Sequence, residues 1–457
     1  MAAKDFKLAV FAWLPNRGFS PAGLLTLSET VGANQRNREL TSGFAYGLGY
    51  LARAESIEVD PVSLGLEDRE AIKGRALFPV NGLDQFGGIR DAAPDAWGRR
   101  VIEARRKVPA NSLPEAEYLL AAGGDRVGAL DIRRDIKTPD SPSASDLHSL
   151  EYVLQAAEAV ESGVPVPANL EPFLGAGPSA GGARPKASVR DEHGALWLAK
   201  FPAKGDAFDV ARVEMCTLEL ARRCGLTVPE VRYIMVGQRP VMLIRRFDRY
   251  WSPPGMLPDA SSATHDSRPG EGLVEGRLPL VSGLTLVACS EFESRTKGYH
   301  DLATAIRKYV HTDFIAANCE ELFARMVFNI FVSNDDDHLR NHAFVRAPRS
   351  GGWMLSPLYD VVPRPGVAYE RQLHLEVGAR GKLATLDNAL SYFPAFVPER
   401  ARAVEIIRRV WRELREWRTC FEECGADSHL LSKLEGAFRK LEDIAQPDLV
   451  KEIRKGA

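Results

Sequence analysis

No C-x-x-C pair occurs in this sequence, and its six cysteines (Cys216, Cys224, Cys289, Cys319, Cys420 and Cys424) are spread along 457 residues. That usage excludes a small disulfide-stapled scaffold and fits a reduced compartment. Long apolar runs are also missing. Those at residues 8–14 and 284–289 fall far short of the ~20 residues a membrane span requires. Neither sign of charge is in excess: 59 Lys+Arg face 61 Asp+Glu, a net charge of −2. Bulk electrostatics therefore does not hold this chain on nucleic acid or a membrane. The amino terminus has no basic stretch followed by an apolar one and a small-residue cleavage site, so a cytoplasmic protein is expected. What is present is ordinary globular composition, 45% hydrophobic and 26% charged, at a length that suggests two or three domains at roughly 150 residues each.

Residues 138–145, Thr-Pro-Asp-Ser-Pro-Ser-Ala-Ser, read as an extended linker. Before it, residues 7–14 read as a buried strand and 115–122 as a short helix stopped by Gly123-Gly124. After it, Asp146 is expected to cap a helix with apolar positions Leu147, Leu150, Val153, Leu154, Ala157 and Val160, ended by Gly163. Residues 252–272, polar and rich in proline, read as an inserted surface loop. Near the carboxyl end Val404, Ile407, Trp411, Leu414, Trp417 and Phe421 form one apolar helical stripe. Arginines cover the remainder, but Glu405, Glu413 and Glu416 interleave, so a solvated face is expected there, not a nucleic-acid surface.

Chemistry concentrates between residues 320 and 360. Leu322, Phe323, Met326, Val327 and Ile330 mark the buried face of a helix that ends at Ser333-Asn334. The Asp335-Asp336-Asp337 run that follows is poor helix interior and mutually repulsive, which points to an exposed loop or a cation site. Residues 342–346 and 353–355 read as a hairpin, whose open end brings Asn341 towards Leu358-Tyr359-Asp360. Two Asp groups and one Asn around one point suit phosphoryl transfer. There, a loop Asp takes the acceptor's proton, and an Asn five residues on with a later Asp holds magnesium. Asp336 and Asn341 have that spacing, and Asp360 follows a strand. The plain alternative is an acidic turn with a capping Asn.

A second segment bears on the choice. Gly175-Ala-Gly-Pro-Ser-Ala-Gly-Gly-Ala-Arg-Pro-Lys186 is a glycine-rich loop ending in lysine, in which backbone N–H groups can approach phosphates. It is not a Walker A loop, and alone it reads as a flexible connection. Next, Ala195-Leu-Trp-Leu-Ala-Lys200 is a strand with Lys200 near its end, and a helix from about 210 to 224 carries Glu214 and Glu219. Lys200 alone would pass for a snorkelling edge-strand lysine. Glycine loop, strand Lys, helix Glu, then Asp336, Asn341 and Asp360 nevertheless run in the order a kinase needs.

These segments, taken with others, resemble the HipA family of toxin–antitoxin serine/threonine kinases. In the first half the landmarks are Phe44-Ala-Tyr46 with Tyr50-Leu51, Pro94-Asp-Ala-Trp-Gly98 and Gly124-Asp-Arg-Val-Gly-Ala-Leu130. In the second they are Gly182-Ala-Arg-Pro-Lys186, Lys200-Phe-Pro202, Arg246-Phe-Asp-Arg249, residues 334–341 and Pro357-Leu-Tyr-Asp360. The resemblance implies an α+β, two-lobed protein-kinase-like fold. Residues 1–137 would be the family's amino-terminal α/β subdomain and 138–168 a linker and helix. Residues 169–250 would be the N-lobe core and 251–457 a mostly helical C-lobe with 252–272 inserted. It further implies ATP and Mg2+ as cofactors, with Asp336 as catalytic base and Asn341 and Asp360 as metal ligands. Gly181, Gly182, Ala183, Arg184, Pro185, Lys186 and Lys200 would contact the phosphates. Arg245, Arg246 and Phe247 would form the adenine-side hinge, with His338 and Tyr359 beside the nucleotide. Ser179 matches the loop serine that family members autophosphorylate as an off-switch. The implied acceptor is a protein hydroxyl, and the implied partner a small helix-turn-helix antitoxin through which DNA is met indirectly. This chain departs at Arg184, Pro185 and Arg245, where the family often has polar or acidic residues.

Other readings remain open at this stage. A small-molecule or lipid kinase shares the Asp-x-His-x-x-Asn pattern, and a catalytically idle DNA-associated regulator could keep the fold. His338-Leu-Arg-Asn-His342 has the two-His spacing of a zinc helix. However, Leu339 stands where the general-base Glu is needed, and the segment reads as loop then strand.

Overall fold

A computed structural model describes residues 3–31, 38–140, 145–146, 149–171, 182–260, 262–366 and 368–455. An antiparallel sheet leads, in the order Arg38–Tyr46, Gly18–Val31, Ala3–Leu14, Leu130–Arg133. Alternate residues of its first strand, Leu8, Val10, Ala12 and Leu14, turn into one core with Phe44, Tyr46 and Tyr50, as a period of two dictates. Tyr46 and Tyr50 stack, and their hydroxyls donate to the carbonyls of Leu64 and Ile57, both at 2.7 Å.

The second sheet has five strands, ordered Ser145–Asp146, Lys186–Arg190, Leu196–Lys200, Arg239–Arg245, Val231–Val236. Its pleat sorts the central residues. Trp197, Ala199, Val241 and Leu243 pack beneath the helix Leu150–Ser162. Leu198, Lys200 and Ile244 face the opposite way, into a cleft. Lys186 lies directly opposite Lys200 in the antiparallel pair, so the two ammonium groups share that end of the sheet. The helix Val210–Arg223 follows, capped by Asp209 Oδ1 on the Arg212 N–H at 3.0 Å.

The carboxyl-terminal half packs around the helix Thr312–Val332, of which every residue from Leu322 on is buried. A three-stranded sheet, Leu280–Ser282, Ala343–Arg346, Trp353–Leu355, lies at its edge towards the cleft. The insertion at 252–272 joins the paired strands Arg249–Ser252 and Val274–Arg277. None of the described helices is long and apolar enough to cross a membrane.

Two sequence-based expectations need correction. Asp146 does not start the helix predicted after the linker: Ser145–Asp146 pairs parallel with Val189 and Arg190, and the helix begins at Leu150. A sheet edge that takes up backbone hydrogen bonds wins here over side-chain capping. Leu147 lies outside the described residues. The stripe from Val404 to Phe421 belongs to two helices, Arg400–Leu414 and Trp417–Glu423, which break at Glu416 (φ −95°, ψ 18°). Past the break Trp417 stacks on Phe438 with ring centroids 3.9 Å apart.

The amino-terminal unit is fastened at the junction between the two lobes. Arg246 forks onto Asp248 (Nε–Oδ1 2.7 Å, Nη2–Oδ2 2.6 Å), and Arg249 Nη1 reaches Asp248 Oδ2 at 2.8 Å. The two guanidinium groups also donate to the carbonyls of Asp125, Arg126 and Gly128 at 3.0–3.3 Å. The Gly128 N–H donates to Asp248 Oδ2 at 2.7 Å. Gly128 has φ +80°, and a Cβ there would sit 3.2 Å from the Leu280 nitrogen, so only glycine fits. Two sequence landmarks, Gly124–Leu130 and Arg246–Arg249, are thus each other's binding partners.

Burial alone would raise the Asp248 pKa, but Arg246 and Arg249 outweigh it and hold the carboxyl well below the ordinary range. A depressed carboxyl stabilises the fold above the unfolded-state pKa of about 4 and loses that contribution as pH falls further. Asp248→Asn should therefore cost about 3–5 kcal/mol in urea unfolding at pH 7. Its stability should also decline less steeply than the parent's below about pH 4. A cost under about 1 kcal/mol would show the junction to be dispensable.

Candidate functional site

The cleft between the sheets opens to solvent. Its walls are apolar, formed by Val127, Leu198, Ile244, Leu280 and Ala343, and by the rings of Phe247 and Tyr359, whose centroids lie 5.8 Å apart. Polar groups gather at its margins: Lys200, Asp360, Arg340, Asp91 and Ser282. An apolar slot with a few convergent polar groups is the usual form of a small-ligand site.

Lys200 is the centre of charge. Its Nζ lies 2.6 Å from Glu214 Oε1 and 2.8 Å from Asp360 Oδ1, which links strand, helix and post-hairpin segment in one ion-paired triad. Burial opposes the charge on Lys200, yet the Asp360 and Glu214 carboxylates raise its pKa further. Burial raises Glu214, whereas at Asp360 the Lys200 ammonium overcomes burial and lowers the pKa. Asp360 itself has φ +59°, a left-handed conformation that costs a non-glycine residue roughly 1–2 kcal/mol. The triad and the Tyr359 hydroxyl, which donates to the Arg340 carbonyl at 2.6 Å, hold it there.

Lys186 carries a separate partner. Its Nζ is 2.9 Å from Asp95 Oδ2, while Asp95 Oδ1 caps the helix Ala96–Arg106 through the Gly98 N–H at 2.7 Å. Burial raises the Asp95 pKa, with Lys186 opposing it. Trp97 Nε1 donates to the Lys186 carbonyl at 2.8 Å, so the Pro94–Gly98 landmark is a clamp on the end of the glycine loop. Gly182 needs its glycine: φ is +98°, and a Cβ there would sit 3.1 Å from Lys186 Nζ. Ala183 is exposed, Arg184 pairs with Asp206 at 2.5 Å, and the Pro185 carbonyl accepts the Phe201 N–H at 3.0 Å. Ser179 and Gly181 lie outside the described residues.

The acidic run divides in two. Asp335 and Asp336 are exposed and share Arg364, whose Nε is 3.0 Å from Asp335 Oδ1 and Nη2 2.9 Å from Asp336 Oδ2. Asp337 is buried, and accepts from the Tyr299 hydroxyl, from Asn329 Nδ2 at 2.7 Å and from His342 Nε2 at 3.1 Å. Burial alone would raise its pKa, and His342 with these donors lowers it instead. Ser333, at φ +54°, turns the chain out of its helix, and Asn341 Nδ2 donates to the Asp336 carbonyl at 3.0 Å. The loop is thus pinned on both sides of Asp336, whose side chain stays 59% exposed. His338 meets His374 edge to face at 5.8 Å, beside the same loop.

The residues expected to form the hinge contribute unequally. The N–H groups of Arg245 and Arg246 donate to the carbonyls of Glu230 and Leu196 at 2.9 and 3.0 Å, and the Arg246 guanidinium is taken up by Asp248. Phe247 is left to face Tyr359. Sequence reasoning missed Asp95, Asp337, Tyr299, Asn329, Arg364 and His374. Asp95 sat inside a noted motif, but Tyr299 and Arg364 reach the loop from outside it with no local signature.

Among the described residues no group of three or more His, Cys, Asp or Glu could hold a metal. Asn341 and Asp360 do offer oxygen donors: with Nδ2 engaged, the Asn341 amide oxygen is the atom left to bind, and Asp360 has one oxygen beyond its Lys200 contact. Two such ligands suit magnesium, which takes its remaining oxygens from water and phosphates.

Asp337→Ala should cost about 3 kcal/mol in chemical unfolding, because it strands three buried polar partners. Asp336→Ala should change stability by no more than about 0.5 kcal/mol. Equal costs would contradict this division of the acidic run.

Residues 178–418 match the family of the HipA-like C-terminal domain. No curated protein matches the chain. Among solved structures it is similar to HipA of Shewanella oneidensis MR-1, described as part of a toxin–antitoxin complex with HipB and operator DNA. That match has a TM-score of 0.62 at 14% identity and covers 98% of this chain and 97% of the other. It is also similar to the Helicobacter pylori proinflammatory kinase CtkA, with a TM-score of 0.40 and 16% identity over 60% of this chain and 90% of that one. The family match extends over more than half of the sequence, and the fold is the two-lobed, kinase-like one of HipA; the chain belongs to the HipA family.

Proposed function

We propose that this protein is an ATP-dependent serine/threonine protein kinase of HipA type, the toxin component of a toxin–antitoxin module. The observation that carries this reading is the Lys200 triad at the end of an apolar cleft, together with an exposed carboxylate, Asp336, on a pinned loop whose Arg340 lines that cleft. The apolar walls suit a purine, with Phe247 and Tyr359 at its edge. Lys200 and Lys186, side by side on the sheet, supply positive charge for phosphates, along with the glycine loop at 181–186.

In this reading Asp336 accepts the proton of the protein hydroxyl as its oxygen forms a bond to the γ-phosphorus. The bond to the β–γ bridging oxygen breaks, and ADP leaves. Asn341 and Asp360 would hold magnesium, which neutralises phosphate charge when bound. Asn341 also fixes the Asp336 backbone, and Glu214 keeps Lys200 aimed at the cleft. Phosphorylation of Ser179 in the glycine loop would add up to two negative charges beside the triphosphate site and silence the enzyme by repulsion. The proposed partner is a small helix-turn-helix antitoxin, with DNA contacted through it, and the proposed compartment is the cytoplasm.

Intact mass after incubation with Mg-ATP tests the reading. The parent should gain one phosphate mapped to Ser179, and Asp336→Asn should gain none while still binding ATP. Asp360→Asn should lose the magnesium dependence of nucleotide binding, and Ser179→Ala should keep phosphorylating added protein after the parent has stopped. ATP binding without phosphate gain in the parent would favour a small-molecule kinase, and failure to bind ATP would overturn the enzymatic reading.

A further inference from the structure

Asp91 ends the short helix Gly87–Asp91 of the amino-terminal unit and is only 5% exposed. Every hydrogen bond its carboxylate accepts among the described residues comes from outside that unit, from donors at least 191 positions further along the chain. Oδ2 takes the Ser282 N–H and the Thr285 hydroxyl, both at 2.6 Å. Oδ1 takes the Ser282 hydroxyl at 2.8 Å and Arg340 Nη1 at 3.3 Å. Four donors fill the capacity of a carboxylate. The packing around it leaves no slack. A Cβ on Gly87 would lie 2.4 Å from the Thr285 methyl carbon, and one on Gly283 would lie 2.8 Å from the Leu339 carbonyl oxygen. The Gly283 N–H donates to the His342 carbonyl at 2.5 Å. Residues 87–91, 282–285 and 339–342 thus form one packed layer, and Asp91, Ser282 and Arg340 present it to the cleft.

We infer that Asp91 is a positioning residue for phosphoryl transfer, through which the amino-terminal unit fixes Arg340 and with it the loop that carries Asp336 and Asn341. The role rests on the kinase reading above. Arg340 immediately precedes Asn341 in the turn Leu339–Asn341, and its carbonyl accepts the Tyr359 hydroxyl at 2.6 Å, next to Asp360. Its guanidinium spans two carboxylates, Glu291 at 2.5 Å and Asp91 at 3.3 Å. The Glu291 side chain is 57% exposed, so water competes for that contact, whereas the Asp91 side chain is 4% exposed. The buried end therefore sets where the planar fork stands. Within the loop, the Asp336 carbonyl accepts the His338 N–H at 2.9 Å and Asn341 Nδ2 at 3.0 Å, bonds that hold the turn's shape. Its place is set from two sides: Asp337 ties it to Asn329 of the long helix behind, and Arg340 ties its far end to the amino-terminal unit. A shift of about 1 Å in a reacting group can slow a reaction roughly a hundredfold, so the second tie bears on rate.

The test is a double-mutant cycle on the full-length chain, read as the rate of phosphate incorporation at saturating Mg-ATP and as deuterium uptake over residues 336–342. Asp91→Asn and Arg340→Gln should each slow transfer by about tenfold or more. The double variant should be no slower than the slower single one, because Asp91 acts through Arg340. Both single variants should also speed exchange in the loop. Arg340→Lys, which leaves the other contacts of Asp91 in place, should recover part of the rate lost in Arg340→Gln. Thr285→Val removes another donor to Asp91 and should lower the urea midpoint while keeping the rate within about twofold. Parental rate and exchange in Asp91→Asn, losses that multiply in the double variant, no recovery with lysine, or an equal loss in Thr285→Val would each overturn the inference. A parent that transfers no phosphate would overturn the kinase reading instead, and the exchange measurement would still decide whether Asp91 holds the loop.

Discussion

A carboxylate cut off from water keeps its charge only if neighbours return the lost hydration, and Asp248 achieves this by pairing with Arg246 and Arg249. The pairing has consequences beyond its own bonds. It holds both guanidinium groups flat against the 125–128 carbonyls, which docks the amino-terminal unit on the segment linking the lobes. It also fixes the two residues on either side of Phe247, so that ring has one place to stand. The cleft wall formed by Val127, Phe247 and Leu280 exists because that network closes.

The cleft itself is ordered by charge pairing between different parts of the chain. Lys186 answers to Asp95 of the amino-terminal unit, Lys200 to Glu214 and Asp360, and Arg340 to Asp91 and Glu291. Two lysines opposite each other on neighbouring strands would repel if both lacked counterions. Giving each its own carboxylate, from a different element, turns a local conflict into two long-range ties. Asp91 extends the pattern by accepting from Ser282 and Thr285, at 2.6–2.8 Å, across the same interface. A polyanionic ligand entering here meets cations already held in position, and little reorganisation is required of the protein.

The acidic run shows how one sequence pattern can serve two ends. Asp337 stabilises the loop from within, while Asp335 and Asp336 remain at the surface on the same rigid turn. The surface carboxylate of Asp336 and the integrity of the loop are therefore separable, and a substitution at one position need not disturb the other.

Local pattern was enough for the strand at 7–14, the short helix at 115–122, the buried helix ending at Ser333 and the hairpin after Asn341, because a period of two or near 3.6 survives in any tertiary context. The order of glycine loop, Lys200, Glu214, Asp336, Asn341 and Asp360 was likewise legible, since it resides in the chain itself. The helix start near residue 150 was misjudged because an incoming strand claimed the backbone that a cap would have used. The break at Glu416 was hidden by an apolar stripe that continues across it. Which Asp of three is buried, which carboxylate answers each lysine and which arginines pair with Asp248 depended on partners such as Tyr299, Asp95 and Gly128. Only folding brings those within reach, and the energy of a buried charge is set by its neighbours in space, not by its neighbours in sequence.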